Sequence, residues 1–268
     1  MTSHAGFSVI GTIVLLCWMT ALIGYLPIVA KRLRYLGPCA FALGWLLILV
    51  YMGWLWHMLD RPPMRTQGET RLWYTIFLPF IGLVVEWRWK SRMLAIPTLG
   101  MALVFLILTL THPESLDKSM MPALDSPWFA PHVIVYMVSY ATLGIAAAVA
   151  AWGLGRNRFS ANCLLEPYAL EVRRLVYIGF PLMTTGLILG AFWAQIAWGR
   201  YWTWDPKETW AFITWMAYLA FLHLDRYRRL SARGQLWIVL GAFVILLGCW
   251  FGVNYLPSAM GSVHSYAR

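Results

Sequence analysis

The sequence predicts an all-α, polytopic integral membrane bundle of about eight transmembrane helices, and three observations predict it. Hydrophobic residues make up 60% of the 268-residue chain and charged residues 12%, against roughly 45–50% and about 25% in soluble chains. Mean hydropathy is +0.63. Long apolar runs recur along the chain with short polar segments between them. A soluble globule of this size could not bury so much apolar surface, which excludes a water-soluble enzyme.

Each span follows from a bilayer core of about 30 Å, which takes about 20 mostly apolar residues per helix. The runs cover 6–30, 36–59, 72–87, 93–111, 131–155, 174–197, 210–224 and 235–254, the third and seventh being short. The first lacks a basic leader region and a small-residue cleavage site, so it reads as a retained span. Loops 31–35, 88–92, 156–174 and 225–234 hold fourteen of the 21 Lys and Arg. The positive-inside rule then puts both termini and loops 60–71, 112–130 and 198–209 outside the cytoplasm. The net charge of +10 is accordingly a marker of topology. No nucleic-acid role is expected, because no cytoplasmic basic patch interleaves stacking residues. Cys17, Cys39 and Cys249 fall inside spans and Cys163 in a cytoplasmic loop, with no CxxC pair, which argues against a structural disulfide or thiol exchange.

Six histidines stand out in so apolar a chain. His4 and His112 read as solvated, and His57 sits near the outer end of the second span. His132 opens the fifth span and His264 follows the eighth, both on the outer side, while His223 lies near the inner end of the seventh. A histidine at a helix end is usually just an interfacial polar residue, yet ligand-type residues at membrane segments lean functional. Neutral imidazole is also a common metal ligand and an axial ligand of haem.

Five of the 17 tryptophans, with Tyr201, lie between 193 and 210. An interfacial aromatic belt scatters its rings over many helices; here they crowd one loop beside Arg200, Asp205, Lys207 and Glu208. Closely spaced indoles predict a flat apolar platform for a large planar ligand. Arg200 and Lys207 suit anionic groups on its rim. Asp205 and Pro206 read as the N-cap and first residue of a helix, with Glu208 three residues on, so structural and ligand roles are both open for the two acids. A planar macrocycle with carboxylates and an iron needing axial ligands is haem, with His132 and His264 as candidate ligands.

The segment Trp198 to Trp215, WGRYWTWDPKETWAFITW, resembles the WWD signature of the haem-handling membrane proteins of cytochrome c biogenesis, and within them the CcsA (ResC) family of system II. The resemblance extends to PALDSPWFAPHV at 122–133, AFLH at 220–223, FGVN at 251–254 and HSY at 264–266. It divides the chain into weakly matching helices at 1–119 and a haem-handling core at 120–268, with its WWD loop at 193–210. Two departures are visible: a stretch before His264 that is three residues longer, with Pro257 inserted, and no histidine ahead of Glu69.

The resemblance implies that His132 and His264 ligate an external haem b, bound in transit as a substrate. Trp198, Gly199, Arg200, Tyr201, Trp202, Trp204 and Asp205 are the expected contacts around it. His223 matches the family's histidine of an inner haem site, with the second ligand on a CcsB (ResB)-type partner. The implied function is membrane haem handling in a cytochrome c synthase complex: presenting reduced haem to the CxxCH segment of apocytochrome c for thioether attachment. Synthase activity is expected only together with that partner; a thioredoxin-like thiol reductase is a further implied partner, and the lipid bilayer surrounds the chain. The expected location is the bacterial cytoplasmic membrane, or the thylakoid membrane, with the loop facing the periplasm or lumen. The alternatives are haem export or chaperoning without attachment, as in CcmC relatives, and a b-type electron-transfer subunit.

Overall fold

A computed structural model describes residues 2–25, 35–64, 66–89, 95–116, 126–159, 164–227 and 229–252. Eight α-helices lie among the described residues: α1 (Thr2–Tyr25), α2 (Leu36–Leu59), α3 (Gln67–Trp89), α4 (Ala95–Thr111), α5 (Phe129–Phe159), α6 (Glu166–Trp198), α7 (Pro206–Arg226) and α8 (Ala232–Leu247). A 3-10 turn, Pro113–Leu116, follows α4, and a π-turn, Gly248–Gly252, continues α8. Five segments are long and apolar enough to cross a membrane: Gly6–Tyr25, Leu36–Leu59, Phe129–Arg158, Glu166–Trp198 and Ala232–Trp250. Thr98–Thr111 is a shorter apolar helix. Helices α3 and α7 carry charged residues in their end turns, Glu69 and Glu86 on one, Glu208 and Asp225 on the other, which shortens their apolar stretches.

The chain divides into two units, Met1–Met120 and Met121–Arg268. In the first, α1 packs on α2 and α4, and α3 packs on α2 and α4. Trp18 is fully buried against Gly44, where an added Cβ would lie 2.6 Å from its Nε1. The Trp45 indole N–H donates to the Ile76 carbonyl at 3.0 Å, tying α2 to α3. The polar turn before α3 is closed by its own side chains. Glu69, 3% exposed, accepts from both terminal nitrogens of Arg61, at 3.0 and 3.1 Å, and from the Thr66 amide at 3.2 Å. The Glu69 amide donates back to Thr66 Oγ1 at 3.0 Å, a reciprocal capping box.

In the second unit α5 and α6 form the most extensive pairing, α8 touches α5, α6 and α7, and α7 also packs on α6. Membrane helices approach closely where small residues allow it. Here four glycines face four large residues in antiparallel register: Gly153 against Tyr168, and Gly179, Gly186 and Gly190 against Leu143, Tyr136 and His132. Two side-chain bonds cross the same seam. Ser139 Oγ donates to the Gly179 carbonyl, and the His132 ring nitrogen Nδ1 lies 2.8 Å from the Gly186 carbonyl.

Helix α6 begins at Glu166, eight residues before the predicted span, so Arg173 and Arg174 are helical and not part of a loop. The reason is amphipathicity: Ala169 and Val172 are fully buried, while Arg174 pairs with Glu171 one turn back. Apolar length marks only the membrane portion of a helix that continues beyond it.

Candidate functional site

The candidate site sits at the end of the second unit where α5 and α7 begin and α6 ends. Gly199 stops α6 in the left-handed conformation, φ 74°, its amide bonded to the Gln195 carbonyl at 3.0 Å, a termination only glycine adopts without strain. Asp205 caps α7: its Oδ1 accepts from the Lys207 amide at 2.9 Å. Glu208 Oε2 accepts from the Thr203 amide at 2.7 Å, from the Thr203 hydroxyl at 3.2 Å and from the Asp205 amide at 3.3 Å. Asp205 and Glu208 are both buried, and together complete a capping box. Burial pushes the Lys207 ammonium below the usual lysine range, with Cys249 and Asp205 acting in the opposite direction.

This frame holds the tryptophans at unequal depths. Trp193 is buried, Trp198 and Trp202 are half-buried, and Tyr201 and Trp204 are exposed, with Arg200 also at the surface. Trp204 has φ 59°, a left-handed backbone that costs a bulky residue roughly 1–2 kcal/mol. The expected flat platform is not what forms. Trp202 and Trp204 meet at 83°, Trp204 and Phe212 at 86°, and Trp193 and Trp198 at 64°. Edge-to-face contact is the favoured geometry for rings packed on one another, and here it leaves neighbouring rings steeply inclined to one another. Among the described residues the buried Trp202 Nε1 has no hydrogen-bond partner.

His132, in the first turn of α5, is half-buried. It stacks on Trp193 at 5.8 Å and 22°, and meets the Tyr136 ring edge-on at 4.9 Å. Its Nδ1 donates to the Gly186 carbonyl at 2.8 Å, so Nδ1 carries a proton, and a neutral ring in this tautomer would offer Nε2 to a metal. Phe129 also meets Trp193, and Trp128, Phe192 and Tyr201 form a second run of ring contacts.

His223 lies elsewhere. Seventeen residues beyond Pro206 on α7, it is about 26 Å along the helix from the loop at about 1.5 Å per residue. It is exposed, its ring 4.8 Å from that of Tyr227. Two residues on, the buried Asp225 pairs with Arg173 at 3.0 Å and accepts from the Tyr177 hydroxyl at 3.4 Å. His264 is outside the described residues. The structure therefore brings His132 together with Trp193, which in turn meets Trp198 at the end of α6, and sets His223 near the other end of α7 from the loop. Among the described residues no three or more His, Cys, Asp or Glu side chains converge on a metal-sized point.

Sequence reasoning missed Gly186 and Gly190, although Gly-x-x-x-Gly inside an apolar helix is a legible signal. It also missed Phe129, Phe192 and Phe212, which no spacing connects to the loop.

A bundle of apolar helices that gathers a histidine and a crowd of indoles at the helix ends defines a membrane protein built around an aromatic-walled imidazole site. The chain matches the family model described as Cytochrome C assembly protein over residues 7–260. It belongs to that family, and its relatives within it carry the name CcsA. It is 32% identical over 252 residues to the cytochrome c biogenesis protein CcsA of Prochlorococcus marinus (strain MIT 9215), covering 82% of this chain and 81% of the relative. The corresponding protein of Guillardia theta is 30% identical over 293 residues, covering 97% and 96%. Among solved structures, the cytochrome c heme lyase CcmF matches with a TM-score of 0.67 at 17% identity, over 97% of this chain. The chain spans about half of that lyase, 49% of its length, and the likeness is one of fold.

Proposed function

We propose that the chain is the haem-handling membrane subunit of a cytochrome c synthase complex. It holds haem b in transit between His132 and His264, against the tryptophan loop, for attachment to the CxxCH segment of apocytochrome c. The observation that carries this reading is the His132 imidazole, its Nδ1 bonded to the Gly186 carbonyl and its ring stacked on Trp193, which meets Trp198 where α6 gives way to the tryptophan loop. The residues fit the cargo. The buried Trp202 N–H and the exposed Arg200 are donors suited to anionic groups on a macrocycle, and Arg pairs carboxylates well. Bound haem supplies the vinyl groups to which each cysteine adds its sulfur and its proton, so attachment itself needs no oxidant. The protein's part is to orient the macrocycle, keep water from the iron with its rings, and hold one axial position until the acceptor histidine takes it.

The same reading assigns eight spans with both termini and the loop outside the cytoplasm. His223 serves as half of an inner site completed by a CcsB-type partner, in line with its exposure on α7.

The test is purification of the chain with a CcsB-type partner, with absorption spectra and cytochrome c maturation measured for His132→Ala, His264→Ala and His223→Ala. Loss of the haem spectrum and of maturation in the first two is expected. Haem-free wild-type protein, with all three variants still supporting maturation, sinks the proposal. Haem binding without covalent product would move the chain to the export class.

A further inference from the structure

We infer that Gly190 and Gly186 are positioning residues for the His132 ligand: Gly190 uncovers the Gly186 carbonyl so that the imidazole can dock on it in one tautomer and one orientation. The inference rests on the haem-ligand reading of His132 and adds the device that sets it.

In an α-helix the carbonyl of residue 186 points along the axis toward the amide of residue 190. A side chain at 190 stands beside that oxygen and screens it from other donors. Gly190 has none, and the space is filled by His132: an added Cβ would lie 2.7 Å from its Cε1 and 2.8 Å from its Nδ1. The same nitrogen is 2.8 Å from the Gly186 oxygen. One glycine thus supplies the acceptor and the other clears the approach. Gly186 does a second task, since a Cβ there would come within 3.1 Å of the Tyr136 ring, and Tyr136 meets His132 at 90°. Trp193 stacks on the imidazole at 22°, so two neighbouring rings constrain its plane. A partner that fixes the tautomer and plane of a ligating histidine typically carries about 10–100-fold of its metal affinity.

Gly190→Ala is the test, in the full chain purified with its membrane partner and endogenous haem. Helix propensity alone favours the alanine, so a loss cannot come from the helix. Gly241→Ala on α8 is the control, because nothing lies within 4 Å of its added Cβ. The expected result is haem retention down by about tenfold or more, with the six-coordinate spectrum shifting toward five-coordinate, while Gly241→Ala keeps the wild-type spectrum. A double-mutant comparison of thermal stability needs no haem. Gly190→Ala should lower the melting temperature in the wild-type background and much less in a His132→Ala background, where the ring it strikes is gone. If Gly190→Ala does not accumulate but His132→Ala/Gly190→Ala does, the clash is with the imidazole, as inferred. A wild-type spectrum in Gly190→Ala, or equal destabilisation in both backgrounds, overturns the inference. A wild-type spectrum in His132→Ala instead overturns the ligand reading beneath it.

Discussion

Replacing Glu208 by alanine should open the tryptophan loop without loosening the bundle. Its Oε2 collects the Thr203 amide at 2.7 Å, the Thr203 hydroxyl at 3.2 Å and the Asp205 amide at 3.3 Å. A hydrogen bond to a charged acceptor contributes about 1.5–3 kcal/mol when well made. The short amide bond counts nearly in full; the two longer ones count for less, and Thr203 is exposed enough for water to replace part of the loss. The lost charge at the α7 N-terminus adds about 0.3–1 kcal/mol. The sum is about 2.5 kcal/mol, or roughly 70-fold in the opening equilibrium, at about 1.4 kcal/mol per decade. Hydrogen exchange in a nanodisc reads it directly. The amides of Thr203, Asp205 and Lys207 should exchange roughly 50- to 100-fold faster, with those of the α5–α6 seam unchanged. Glu208→Gln keeps one acceptor oxygen and should fall between the two. Exchange at wild-type rates in Glu208→Ala, or uniform acceleration through α5 and α6, refutes the reasoning.

Trp202→Phe removes a buried N–H that has no partner among the described residues, so stability without haem should hold or rise by up to about 1 kcal/mol; a fall in haem retention in the same variant would assign that N–H to the cargo, and calorimetry with a haem assay checks both. Glu69→Gln breaks the fork with Arg61 and should cost about 3 kcal/mol, the order found for one partner of a buried pair, seen as a lower melting temperature. Lys207 binds its proton less tightly in the folded loop than in an opened one. From that lowered value up to the ordinary lysine value of about 10.4, the opened loop carries more protons, so loop stability should rise with pH across this window. Lys207→Met should abolish the slope in pH-dependent exchange after correction for intrinsic rates.

The helices were legible because a bilayer demands unbroken apolar runs, and α2 matches its predicted 36–59. The onset of α6 was not, since Glu166–Arg174 is helical through an amphipathic face that hydropathy does not register. In the loop, Asp205, Pro206 and Glu208 announced a helix start, because capping chemistry is local in sequence. The left-handed Trp204 had no such signal: bulky aromatics avoid that conformation, and what holds it includes Thr209, whose hydroxyl bonds the Trp204 carbonyl at 3.1 Å. The tilt of the rings was equally hidden. It depends on Phe129, Phe192 and Phe212, which α5, α6 and α7 deliver from separate parts of the chain.

On the haem-ligand reading proposed above, that tilt would divide the tryptophans by task. An imidazole that binds iron through Nε2 stands edge-on to the porphyrin it ligates, so any ring parallel to the imidazole is also edge-on. Trp193 lies 22° from His132 and is buried; it can back the ligand but cannot cover a macrocycle face. Trp198, turned 64° from Trp193 and half-buried, is not bound to that edge-on plane. Trp204, 63% exposed and held there against backbone strain, offers its ring outward, where a planar cargo or the segment receiving it arrives. Crowding five indoles near one loop therefore does not multiply a single stacking contact. It separates a ring that orients the ligand from rings that meet the cargo, and the edge-to-face angles between them keep those surfaces from collapsing onto one another.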